Sequence, residues 1–372
     1  MRQAKVHRIA TSAPDDVSGL MAAIGDGRID PAGIIAILGK TEGNGCVNDF
    51  TRAFSVSALK QALSGHLDRE ALERIAYVMS GGTEGALSPH IVVFESGKAE
   101  AGGCPALAIG SALTAPLRPE HLGRIQQVAL VADGVRAAMT DVGISDPADV
   151  HFVQIKCPLL TAERIASADA RNETVAIRDT LKSMGYSRGA SALGVAVALG
   201  EIEAAGITDA SIVRDTNLWS SRASTSAGVE LLNHEIVVLG MSADWSGPLV
   251  VDHAVMADGI DVEPVRAALK RLGFAADGQL ALPERQRLVA LLAKAEPGST
   301  GSLRGARHTM LDDSDISATR HARAFVAGAL GALVGTSEIY VSGGAEHQGP
   351  DGGGPVALIA TRPATSPQGV LP

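Results

Sequence analysis

Three lysines, three arginines and three serines recur in one order along the chain, and together they offer a base, an anion grip and a nucleophile. Lys40, Lys156 and Lys294 each end an apolar run: GIIAILGK, HFVQIK and RLVALLAK. Arg52, Arg188 and Arg320 each follow a small hydroxyl residue (Thr51, Ser187, Thr319) that reads as the N-cap of a helix. Ser80 and Ser342 stand before paired glycines in IAYVMSGG and IYVSGG. The middle copy has WSSRASTSAG instead, where Ser226, in Ser226-Ala227-Gly228, matches best by size and Ser220, Ser221 and Ser224 compete with it.

Gathered in one cavity, these residues have a definite chemistry. Crowded cations and burial both disfavour charged lysine, so at least one amine is expected to be neutral near pH 7. A neutral lysine beside a serine hydroxyl can take its proton, which is the Ser-Lys form of nucleophilic catalysis. Arginine forks suit an anionic or carbonyl-rich planar ligand, and the N–H groups after each serine can hold an oxyanion. No carboxylate is read at an equivalent position in all three copies. Singly, each feature has an ordinary explanation: a solvated lysine at a strand end, a surface arginine, a glycine turn. The same types in the same order, three times over, argue for the chemistry.

The elements that must position them form a repeat of β-α-β, α, β-β type, an α+β unit. Copy one runs through AKVHRIAT, a helix around DVSGLMAAIGDG, GIIAILGK, IAYVMSGG and HIVVFES. Copy two is read as strand RIQQVALVADG, helix VRAAMTDVG, HFVQIK and EIVVLGMS; copy three as LVVDHAVMADG, helix VEPVRAALKRLG, RLVALLAK, IYVSGG and PVALIAT. The repeats are placed at 1–104, 111–248 and 249–372, with Pro-containing joins at GGCPALAIGSALTAP and WSGP. Three similar repeats predict a pseudo-threefold axis, a barrel-like core with helices outside, and equivalent loops meeting at the axis. Ala324 to Thr336 is too short for a membrane span and reads as a buried helix.

Composition limits the alternatives. In 372 residues, 46% hydrophobic and 20% charged, 32 Lys+Arg stand against 41 Asp+Glu, giving a net charge of −9. The chain has too much core for disorder, and no basic block interleaved with aromatics for nucleic acid. Cys46, Cys104 and Cys157 are few and widely spaced, as in a reducing cytoplasm, and the opening MRQAKVHRIATSAPDD lacks the apolar stretch of a secretory signal. The histidines form no zinc-hydrolase motif, and the glycine clusters lack a dinucleotide or P-loop context. Cys157 reads as a small buried residue, whereas EHQGPDGGGP can offer backbone carbonyls to a hard cation.

GKTEGNG, MSGGTEG, TSAG, SATRHARAFVAGALGALVG and VSGGAEHQGPDGGGP resemble the cyanuric acid hydrolase/barbiturase family along essentially the whole chain. The resemblance implies three repeats about a pseudo-threefold axis and hydrolytic opening of cyanuric acid to carboxybiuret, which decarboxylates to biuret. It implies Ser226 as nucleophile and Lys156 as general base. Ser80 with Lys40, Ser342 with Lys294, Arg52, Arg188, Arg320 and the backbone of Gly81, Ala227 and Gly343 then hold the substrate. It also implies no organic cofactor, and a structural Mg or Ca ion on Glu296 and the carbonyls of Ala345, Gln348, Gly349, Pro350 and Gly353. A cytoplasmic homotetramer is implied as well. The competing readings are a barbiturase and a non-catalytic binder of planar anions.

Overall fold

The protein is described here by a computed structural model covering residues 1–100 and 102–363. Residues 364–372, the end of the range given to the third repeat, lie outside the described residues. The first unit contains β1 (Arg2–Ala10), α1 (Ser18–Gly25), β2 (Ile34–Thr41), α2 (Phe50–Leu63), α3 (Arg69–Arg74), β3 (Ala76–Gly81) and β4 (His90–Lys98). The second contains β5 (Ala106–Leu113), α4 (Ile125–Asp141), β6 (Val150–Pro158), α5 (Ala162–Asp169), α6 (Thr180–Ala198), β7 (Ala223–Gly228) and β8 (Glu235–Ser242). The third contains β9 (Leu249–Met256), α7 (Glu263–Arg271), α8 (Leu282–Arg287), β10 (Leu288–Ala295), a small hairpin β11 (Ser302–Leu303) and β12 (Ala306–Arg307), α9 (Ala318–Val334), β13 (Tyr340–Gly343) and β14 (Gly354–Thr361).

Each unit folds its four long strands into one sheet of the same order: β1-β4-β2-β3, β5-β8-β6-β7 and β9-β14-β10-β13. The lysine strand and the serine strand pair in parallel in every case, and the fourth strand pairs antiparallel with the lysine strand. The class is therefore α+β, as expected. The expected barrel is corrected: among the described residues the strands form three separate four-stranded sheets and do not close into one.

A second correction concerns the middle unit. RIQQVALVADG, read as a strand, is the first half of α4, and the true first strand β5 lies in the stretch read as a join. The buried positions of α4 (Val128, Val131, Ala132, Val135, Ala138, Met139) follow helical spacing. The apolar run VALV hid that period, because its β-branched residues fit a strand equally well.

Strand alternation splits the burial between two faces. On β2, Ala36 and Leu38 join a central core that draws on all three sheets. Ile34 and Ile37 pack outward with Leu20 of α1 and Leu59 of α2. On β10, Ala290 and Leu292 face the central core, while Leu291 and Ala293 pack with Leu269 of α7 and Leu330 of α9. In period two, Lys40 and Lys294 continue the central face.

Candidate active site

The sheet register sets the catalytic candidates side by side. Lys40 lies opposite Ser80, Lys156 opposite Ser226 and Lys294 opposite Ser342. The three serines meet: Ser342 Oγ is 3.2 Å from Ser80 Oγ and 3.0 Å from Ser226 Oγ. Arg52, Ser80, Gly81, Lys156, Arg188, Ser226, Ala227, Arg323, Ser342 and Gly343 surround one small space. All three lysines are 1% exposed, but of them only Lys156 is on that wall.

The lysines differ in their partners. Lys40 Nζ donates to Ser80 Oγ at 3.3 Å and Lys294 Nζ to Ser342 Oγ at 3.2 Å. Lys156 Nζ instead donates to the Met79 carbonyl at 2.7 Å and lies 2.8 Å from Glu230 Oε1. Burial lowers the pKa of each amine. For Lys294, burial and Arg188 bring it to about 7. Burial and Arg323 push Lys40 well below its usual value. Lys156 is lowered by burial against the pull of Glu230, which favours its charged form. Cys157, free and buried, has its thiol pushed up by burial, as suits an inert side chain.

Two of the three expected arginines are in place, and the third is corrected. Arg323, one turn further along α9, faces the cavity in place of Arg320, which is only half-buried and lies off its wall. The expected N-caps also change. Asp49 caps α2, accepting from Thr51 N at 3.0 Å, and Asp179 caps α6, accepting from Lys182 N at 2.9 Å. Ser317 stands at the N-cap of α9. Ser187-Arg188 is therefore well inside α6, and Thr319 instead donates its hydroxyl to Glu296 Oε1 at 3.0 Å.

The reading that the copies share no carboxylate is overturned. Glu84, Glu230 and Glu346 each stand four residues after the repeat's serine, and each faces an arginine from another unit. Glu84 takes Arg323 in a fork at 2.5 and 2.6 Å, and Glu346 takes Arg188 at 2.8 and 2.6 Å. Glu230 Oε1 is 3.6 Å from Arg52 Nε. The spacing Ser-x-x-x-Glu was visible in the sequence and marks these carboxylates, though not the arginines they meet. The second glycine of each SGG follows from the same contacts. Gly82 (φ +106) and Gly344 (φ +78) are left-handed, and a Cβ there would run into the Arg323 and Arg188 guanidiniums.

Residues of the implied cation site gather behind this wall. Glu296, Ala345, Gly349 and Pro350 line one cleft. Gln348 is buried beside it with its amide committed to Thr225 N (2.6 Å) and Gly344 O (3.1 Å), so it has only its carbonyl to offer. Gly353 is placed by its N–H to Pro350 O at 2.9 Å. Burial and the neighbouring Glu346 push Glu296 up to about 7. A half-buried carboxylate whose charge is disfavoured, beside backbone carbonyls, is an all-oxygen set that fits a hard divalent cation.

A different trio, His151, Asp252 and His253, also lies close together. Three of its four ring nitrogens have partners within the protein: His253 Nδ1 and His151 Nδ1 are 3.0 Å apart, and Arg222 Nε points at His253 Nε2 from 3.5 Å. Arg271 holds Asp252 at 2.6 Å.

The chain matches the family described as amidohydrolase ring-opening protein over residues 5–361. It is 63% identical to a cyanuric acid amidohydrolase of Bradyrhizobium sp. (strain ORS 375), covering 97% of this chain and 99% of the relative. It is 63% identical to that of Azorhizobium caulinodans, covering 96% and 98%. The crystal structure of the A. caulinodans cyanuric acid hydrolase superposes with a TM-score of 0.91 at 62% identity, covering 98% of this chain and 100% of that one. A second solved cyanuric acid hydrolase, described as an evolutionary innovation by structural concatenation, gives 0.91 at 47% identity, covering 97% and 100%. The chain therefore belongs to the ring-opening amidohydrolase family.

Proposed function

We propose that this enzyme is a cyanuric acid amidohydrolase that opens the s-triazine ring to carboxybiuret, which loses carbon dioxide to leave biuret. The observation that carries the assignment of roles is that, of three buried lysines, Lys156 alone stands on the cavity wall with its register partner Ser226. The identity to curated cyanuric acid amidohydrolases supports the substrate.

In this reading the three units stand about a pseudo-threefold axis, and their equivalent donors meet the equivalent edges of a flat ring with three carbonyls and three N–H groups. Repeated strand order and the meeting of the three serines support it. Arg52, Arg188 and Arg323 grip the ring's carbonyls and its anionic charge, and Ser80 with Lys40 and Ser342 with Lys294 fix its orientation. Lys156 takes the Ser226 proton as Oγ attacks a ring carbon. The backbone N–H groups of Gly81, Ala227 and Gly343 are the donors available to the resulting oxyanion. Collapse breaks the ring C–N bond, and the leaving nitrogen recovers the proton from Lys156. Water then cleaves the acyl-serine with Lys156 again as base, releasing carboxybiuret.

A structural divalent cation would be held by the Glu296 carboxylate with the carbonyls of Ala345, Gln348, Gly349, Pro350 and Gly353. When bound it supplies the positive charge that lets Glu296 ionise beside Glu346. The residues themselves tie the last glycine-rich loop to the Arg188 fork through Glu346.

One observation favours a second reading. Lys294, at about 7, touches Ser342, and Ser342 touches Ser226. Lys294 would then be the base and Ser342 the nucleophile. Ser226→Ala and Ser342→Ala separate the two. The proposal expects Ser226→Ala to lose turnover by about 10⁴-fold or more, as removal of a nucleophile does, and Ser342→Ala to lose much less. Turnover persisting in Ser226→Ala reverses the assignment.

A further inference from the structure

Resting on that reading, we infer that Glu230 is a positioning residue that singles out the middle set, acting on Lys156 as the acid of a triad acts on its base. The other two Ser-x-x-x-Glu carboxylates spend both oxygens on an arginine fork. Glu230 does not. Its Oε1 sits 2.8 Å from Lys156 Nζ and only 3.6 Å from Arg52 Nε, while Arg52 Nη2 turns to the Cys46 carbonyl at 2.9 Å. Lys40 and Lys294 have no carboxylate within ion-pair distance among the described residues. Gly228 makes the approach possible, because a Cβ there would meet the Glu230 carboxylate.

The consequence is a proton-affinity difference between chemically identical groups. When Lys156 takes the Ser226 proton, an ammonium forms in a buried site, and a carboxylate in contact stabilises it. An amine left without one is a weaker base. Charged and titratable groups around the pair are Arg52 of α2 and its neighbour Asp49, Arg164 of α5, and Glu235 of β8. Glu235 is Lys156's cross-strand partner, is pushed up to about 7 by burial, and accepts from Tyr77 N at 2.9 Å. Near neutral pH it offers Lys156 less charge than Glu230, whose acidity Lys156 and Arg52 maintain against burial.

The test is the pH dependence of kcat and KM for cyanuric acid in the wild type, Glu230→Gln, Glu84→Gln and Glu346→Gln. Glu230→Gln should lower kcat by about 100-fold, leave KM within about threefold, and move the acidic limb of kcat/KM down by about one pH unit, since Lys156 loses its proton more readily. Glu84→Gln and Glu346→Gln should raise KM about tenfold, because they free arginines that grip substrate, and leave the limb where it is. Glu230→Asp, which keeps the charge but shortens its reach by one methylene, should move the limb in the same direction by less, with KM near the wild-type value; it decides the question if Glu230→Gln does not fold. An unmoved limb with a raised KM in Glu230→Gln, or in Glu230→Asp alone, overturns the inference. A wild type that leaves cyanuric acid intact overturns the functional reading instead.

Discussion

At the scale of single residues, charge and burial separate groups that look alike in sequence. Arg320 and Arg323 lie three residues apart on one helix, yet only Arg323 is buried, forked on Glu84 and aimed at the cavity. Arg323→Ala should lower kcat/KM by about 30- to 300-fold, the size of a lost charge-assisted fork, while Arg320→Ala stays within about threefold. Steady-state kinetics on the two variants check this, and an equal loss in both would refute the placement. Lys294 gives a stability prediction. Its amine is at about 7 in the folded chain and near 10.4 when unfolded, so the unfolded chain binds more protons between those values. Folding stability contributed at this site therefore falls as pH drops from about 10 to about 7. Denaturant unfolding of wild type and Lys294→Met at pH 7 and pH 9 should show a steeper rise with pH in the wild type, and parallel slopes would contradict it.

At the scale of elements, the lysine strands, the serine strands and most of the repeat were legible, because each short apolar run ends at a polar residue that the sheet register then places. Ser226 was the best match by residue size, with Ser220, Ser221 and Ser224 competing, and the family resemblance singled it out. What was not legible had physical causes. The half of α4 spelled RIQQVALVADG carries β-branched residues that suit either state, and its helical period emerges only over the full Ile125–Asp141 span. Arg320 was chosen because it follows a hydroxyl as Arg52 does, whereas the face of α9 is chosen by packing: Arg323 is buried with Ala322, Val326 and Ala327. The carboxylate partners went unread because each pairs across units, a contact that no local spacing reveals. Gly344→Ala tests the element-scale account. Its left-handed φ costs about 1 kcal/mol or more with a side chain, and the new Cβ displaces Arg188. Thermal denaturation should show a Tm lower by a few degrees, with a raised KM; an unchanged Tm and KM would contradict it.

At the scale of the whole molecule, one strand order is written three times, and the three units contribute residues to one cavity. Among the described residues no helix is long and apolar enough to cross a membrane. The cleft behind Glu296 ties the last loop of the third unit to Arg188 of the second, so an ion there should act on stability as well as on substrate binding. Dialysis against chelator should lower the Tm, and Mg or Ca added at 100 times its Kd should restore about 2.7 kcal/mol. Glu296→Gln should abolish that response, and a response that survives it would move the ion elsewhere. Product analysis of parallel incubations with cyanuric acid and barbituric acid tests the proposed ring-opening. Biuret and carbon dioxide should form from cyanuric acid at a rate well above any consumption of barbituric acid; binding of cyanuric acid without product, or opening of barbituric acid alone, would refute the proposed activity.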